Sequence, residues 1–182
     1  MIDFSPIRTF LPDIKAFAGI QFDAGALRER IAALGWNIDS DMSEYTRVPG
    51  GLCLTTRLTD DVRFLLLVGD ERTAVVSVAA LAPSEACDNN FQVVSEAEFH
   101  ARFDALLSIL VETWGEPTAS GSYASQILAN ARYALWRGRT SWLALMEHDE
   151  GDGNCGHIAT VDIRILPQLD PPTFPLQTNV LF

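Results

Sequence analysis

Apolar residues recur along this chain in two different rhythms, one helical and one extended. Leu27, Ile31 and Leu34 stand at i, i+4 and i+7, the spacing of one face of a helix over Ala24 to Leu34. Asp23 is placed to cap the first turn and Gly35 to stop the last, since glycine takes the left-handed conformation without a steric penalty. A longer stripe of Phe99, Phe103, Leu106, Leu107, Leu110 and Trp114 predicts a second helix that begins at Ser95. Ser95 and Glu98 have capping-box spacing, and Gly115-Glu116-Pro117 ends the run.

The extended rhythm fills the space after each helix. Gly51 to Leu58, Val62 to Val68 and Thr73 to Leu81 read as strands, separated by the polar turns Asp60-Asp61 and Gly69-Asp70-Glu71. The third is apolar on both faces, as a central strand would be. Ala131 to Arg137, Ser141 to His148 and Ile158 to Leu166 form a second set. In the last of these Ala159, Val161, Ile163 and Ile165 alternate with Thr160, Asp162 and Arg164, the pattern of a half-buried antiparallel strand.

Each set follows a helix, a glycine beside a tryptophan, and a loop. The pattern therefore predicts an α+β fold built from two αβββ units, about 23–82 and 95–166. Both lie in a single domain spanning 1–182, with six strands in a mainly antiparallel curved sheet and the helices packed on one face. Residues 167–182 carry Pro167, Pro171, Pro172 and Pro175 and are expected to run extended, with Leu169, Phe174, Leu176 and Val180 available to latch onto the domain.

Composition narrows the functional classes. A hydrophobic content of 48% over 182 residues fills one core, and no apolar run reaches the roughly 18 residues of a membrane span. The first residues lack the basic and apolar stretches of a signal peptide, so a cytoplasmic location is expected. Cys53, Cys87 and Cys155 are odd in number and widely spaced, as for free thiols in a reducing compartment. Lys15 is the only lysine against twelve arginines, which points to GC-rich coding. The net charge of −11 repels phosphate backbones and anionic lipid, arguing against nucleic-acid and membrane partners, and favours encounter with a basic protein.

Signatures of catalysis are missing: there is no G-x-S-x-G elbow, Walker A loop, G-x-G-x-x-G turn or H-E-x-x-H helix. The densest cluster of candidate chemistry is His148 to His157. His148, Cys155 and His157 are of zinc-ligand type, but glycines and acids at a strand junction are also ordinary turn chemistry. A calcium loop is excluded, because Cys155 and Val161 stand where that loop needs its glycine and its bidentate glutamate. Glu96, His100 and Asp104 recur every four residues on one helix flank, a spacing that suits either an acid–base trio or a solvated edge. The four tryptophans read as core residues or sheet anchors. No cofactor is implied.

The segments Leu34-Gly35-Trp36, Gly115-Glu116-Pro117-Thr118 and Leu135-Trp136-Arg137, with their element order over 23–166, resemble a group of small bacterial immunity proteins that accompany polymorphic or contact-delivered toxins. That resemblance implies an antitoxin that binds a cognate toxin or effector and covers its active site; it carries over no functional residues. The acidity suits a basic toxin partner, and the expected contact residues are Asp149, Glu150 and Asp152, with Asp70 and Glu71 in the equivalent turn of the first unit. A type III secretion chaperone-like, effector-binding protein is the alternative, and a metal-dependent enzyme built on His148, Cys155 and His157 a third reading.

Overall fold

The computed structural model describes residues 4–19, 24–36, 38, 40–41, 52–57, 63–68, 74–81, 96–124, 128, 130–152, 156–166 and 170–175. A 3-10 turn at Ser5–Thr9 leads into α1 (Leu11–Phe17), followed by α2 (Ala24–Leu34). The first meander is β1 (Ser40–Asp41), β2 (Leu52–Arg57), β3 (Arg63–Val68) and β4 (Ala74–Leu81). After α3 (Glu96–Trp114) come β5 (Ala119–Tyr123), β6 (Ala131–Arg137), β7 (Trp142–Asp152) and β8 (Gly156–Leu166). The class is α+β, as the two periodicities predict.

Both predicted helix stops form. Gly35 has φ +68°; its N–H donates to the Ala32 carbonyl at 3.1 Å and the Trp36 N–H to the Ile31 carbonyl at 3.3 Å. That pair of bonds is a Schellman motif. Gly115 has φ +86° and sends one bond of 2.9 Å to the Val111 carbonyl, the simpler left-handed cap. At the start of α3, Ser95 lies outside the described residues, and the Glu98 carboxylate accepts from Arg102 Nη2 at 3.0 Å. The short N-terminal helices were not anticipated. Pro6 and Pro12 stand in their first turns, where a missing N–H costs nothing and a fixed φ favours the helix.

The sheet has eight strands in the order β1-β2-β3-β4-β8-β7-β6-β5, with every neighbour antiparallel. The expected count of six misses β1 and β5. Nothing in Ala119–Tyr123 alternates; its residues are small and exposed apart from Tyr123, and pairing with β6 alone makes it a strand. β4 lies inside the sheet, between β3 and β8, as its apolar sequence predicts.

Alternation sends Leu143, Leu145, Val161, Ile163 and Ile165 into the main core, where they meet Ile7, Leu11, Ile14, Phe17, Ile31, Phe99, Phe103, Leu106 and Leu110 from the helical segments. Trp142, Ala144 and Leu166, with Leu135, form a second buried cluster, joined by Tyr133 and Phe174. Phe174 stacks on Tyr133 with centroids 3.9 Å apart, and Pro172 is buried, so the described tail residues 170–175 do dock on the domain. Leu169, Leu176 and Val180 lie outside the described residues.

One expectation is corrected here. Over Val161 to Leu166, β8 is not half-buried: all six residues are buried, including Asp162 (1% exposed) and Arg164 (0%). The strand sits between β4 and β7, and its two charges are paired: Arg164 Nη2 donates to Asp162 Oδ2 at 2.8 Å.

Candidate functional site

Three places carry chemistry, and β7 links them. Among the described residues, β7 outruns its neighbours at its far end. The last registered pair with β6 is Tyr133↔Met146, and the last between β8 and β4 is Leu81↔Ala159. Beyond these, β7 and β8 continue pairing with each other to Asp152↔Gly156. The acidic segment expected as a hairpin tip is thus mostly strand, and Asp149, Glu150 and Asp152 stand on a two-stranded ribbon. Asp70 and Glu71 lie outside the described residues. The strands flanking them end at Val68 and begin at Ala74, and Ala74 pairs with Ile165, near the opposite end of β8 from Gly156. β8 is 11 residues long, so roughly 30 Å separates the two ends.

A polar cluster pins the ribbon's base. Glu147 is fully buried and its carboxylate takes hydrogen bonds from His100 Nδ1 (2.7 Å), the Arg132 backbone N–H (2.8 Å), and Arg132 Nη2 (2.9 Å) and Nε (3.2 Å). Tyr123 donates its phenolic proton to the Glu147 carbonyl at 2.5 Å. Arg132 also reaches Asp104 Oδ1 (2.8 Å) and the His100 carbonyl (2.6 Å), with its guanidinium 4.5 Å from the Phe103 ring centroid. Burial works against the Arg132 charge, but Glu147, helped by Asp104, outweighs it and holds the guanidinium above its ordinary pKa.

The helix-flank spacing did find His100 and Asp104, which Arg132 brings into one network; of the Glu96 side chain nothing is described. Glu147 and Arg132 were not singled out, because an isolated charge in a strand carries no signal of burial. A histidine oriented by a carboxylate can serve as a base. Here the carboxylate is occupied by Arg132, and the arrangement ties α3, β5 and β6 to β7.

Of the trio His148, Cys155 and His157, only the His148 side chain is described. Among the described residues no three His, Cys, Asp or Glu side chains converge as metal ligands. His148 is 5% exposed and registers against Thr160, whereas His157 registers against Gly151, three residues and about 10 Å further along the ribbon. Cys155 lies outside the described residues. Burial first, and then the Arg164 charge, lowers the His148 pKa from 6.5 to about 3.

The consequence is a measurable acid sensitivity. As pH falls below 6.5 the unfolded chain takes up a proton at this position while the folded one stays neutral down to about 3, so stability falls across that window. His148→Gln is expected to flatten the pH dependence of urea unfolding between pH 6.5 and about 3 relative to the parent. An unchanged slope would mean that His148 titrates normally.

The third place is a cavity of about 300 Å3 at the other end of β7, between the end of α1, the end of α3 and the β6–β7 turn. Trp114 and Trp136 line it, packed edge to face with centroids 5.5 Å apart, and Trp136 Nε1 donates to the Gly115 carbonyl at 2.7 Å. The turn is fixed by the Gly138 N–H to Ser141 carbonyl bond (2.8 Å), and by Ser141 and Thr140 hydroxyls donating to the Ala18 carbonyl at 2.6 and 3.1 Å.

These features define an α+β protein with an antiparallel sheet, and no described helix is long and apolar enough to cross a membrane. No family model, curated protein or solved structure matches the chain.

Proposed function

We propose that this protein is a cytoplasmic immunity protein, which binds a basic cognate toxin or effector and covers its active site. The observation that carries the reading is the ribbon: three carboxylate residues within four positions, on strands that outrun their neighbours among the described residues, in a chain of net charge −11. A two-stranded ribbon of this kind enters a cleft, and its charge accelerates encounter with a cationic surface. The clamp at Glu147 supports the reading further, since a ribbon anchored to three other elements loses less entropy on binding. The contact surface proposed is the ribbon alone. Asp70 and Glu71 lie outside the described residues.

The test is a two-stage binding measurement. Affinity purification from the native cells at low and moderate salt identifies a partner, and titration with the Asp149→Lys, Glu150→Lys, Asp152→Lys variant then reads its affinity. The expected result is a basic partner whose binding falls by at least about 100-fold on charge reversal, or ~2.7 kcal/mol, with a flatter salt dependence. Unchanged affinity would remove the ribbon from the interface. Recovery of several unrelated secreted proteins in place of one partner would point to a chaperone.

A further inference from the structure

We propose that the cavity between α1, α3 and the β6–β7 turn binds a small organic anion, a carboxylate attached to an apolar body about the size of one ring. The charge around it runs against the rest of the molecule. Acidic residues outnumber basic ones 24 to 13 in the chain, yet among the described residues Lys15, Arg137 and Arg139 line this cavity against Glu116 alone. The Arg137 guanidinium lies 5.6 Å from the Trp142 ring, so Lys15 and Arg139, both exposed at the rim, are the cations available to a bound carboxylate. Two charges of the same sign focused on a cleft walled by low-dielectric side chains concentrate anions there.

The apolar half of the ligand is set by the walls. Trp114, Trp136, Leu143 and Ala18 supply ring and alkyl surface. A volume of about 300 Å3 is at the small end for a ligand pocket, which limits the occupant to one ring or a short branched chain. Among the described residues Trp136 Nε1 has its acceptor in the Gly115 carbonyl, and Trp114 Nε1 is enclosed too tightly for a ligand oxygen to reach it, so the two rings serve as apolar wall. Thr118, also on the wall, adds a hydroxyl. The site is independent of the ribbon, from which the length of β7 separates it.

The experiment uses the whole protein and the indole N–H resonances of its tryptophans, assigned with Trp114→Phe and Trp136→Phe. Phenylacetate, phenylacetamide and inorganic phosphate are titrated in turn. The expected result is a saturable shift of the Trp114 and Trp136 resonances by phenylacetate, with a dissociation constant of about 1 mM or tighter. Phenylacetamide, which keeps the ring and lacks the charge, binds at least about tenfold more weakly, equivalent to ~1.4 kcal/mol. Lys15→Ala combined with Arg139→Ala loses a similar factor while its circular dichroism stays that of the parent, because both side chains are exposed. Absence of a saturable shift overturns the proposal, as does equal binding of phenylacetamide or full affinity in the double variant. Phosphate binding as tightly as phenylacetate would overturn the ring-sized body and leave a bare anion site.

Discussion

Asp162→Ala is expected to destabilise the protein by about 3–5 kcal/mol, the cost of leaving one charge of a buried pair behind. Arg164 is 0% exposed and donates Nη2 and Nε to Asp162 Oδ2 at 2.8 and 3.3 Å. Without that carboxylate the guanidinium keeps its charge and cannot reach water. Domain stabilities of about 5–15 kcal/mol make this a change from folded to marginal. The companion variant decides the cause. Asp162→Leu with Arg164→Met removes both charges and keeps volume, so most of the loss should return. Urea unfolding of the two variants gives the comparison. Equal destabilisation would assign the effect to packing.

Glu147→Ala should cost nearly as much, about 3 kcal/mol. Four hydrogen bonds end on this carboxylate, and three of them come from Arg132. Arg132 is part-exposed, so water recovers some of its guanidinium, whereas its backbone N–H loses its acceptor. Glu147→Gln keeps the shape and one acceptor oxygen but turns an amide N–H toward donors; it is expected to fall between parent and Ala. Thermal or urea unfolding ranks the three. A Gln variant as stable as the parent would show that shape rather than charge holds the cluster.

The fold was legible in the sequence wherever apolar spacing met a stop signal. α2 runs over Ala24–Leu34 as the stripe and Gly35 predict, and α3 ends at Trp114 before Gly115. β6 matches its predicted span residue for residue. What failed to show were elements whose cause lies elsewhere in the chain. β5 has no alternation of its own and exists through β6, and the short helices that begin near Pro6 and Pro12 were not anticipated. β8 alternated as a surface strand does, because alternation reports polarity and is blind to a charge neutralised within the same strand.

The candidate sites divide along the same line. Asp149, Glu150 and Asp152 were visible as a local run of acids, and the i, i+4 spacing of His100 and Asp104 was visible on the helix. Arg132 and Glu147 are separated from His100 and Asp104 by tens of residues and become partners only when β6 and β7 pass beneath α3. The cavity drew on three segments at once. Trp114 and Trp136 were legible as core residues, but nothing in either segment announced that Lys15 and Arg139 would share a wall with them.

The strand order has a bearing on how the molecule is made. β8 is the last of the described strands to be synthesised, and its place is between β4 and β7. Until residues 156–166 have left the ribosome, β4 and β7 each present an unpaired apolar edge, the kind of edge that recruits other chains. The β4–β8 contact also spans about half the sequence, which slows closure. Neither meander is therefore a separable module. A nascent chain halted before Gly156 is open on both sides of the missing strand, and its safe completion depends on residues 156–166 arriving before anything else fills that slot.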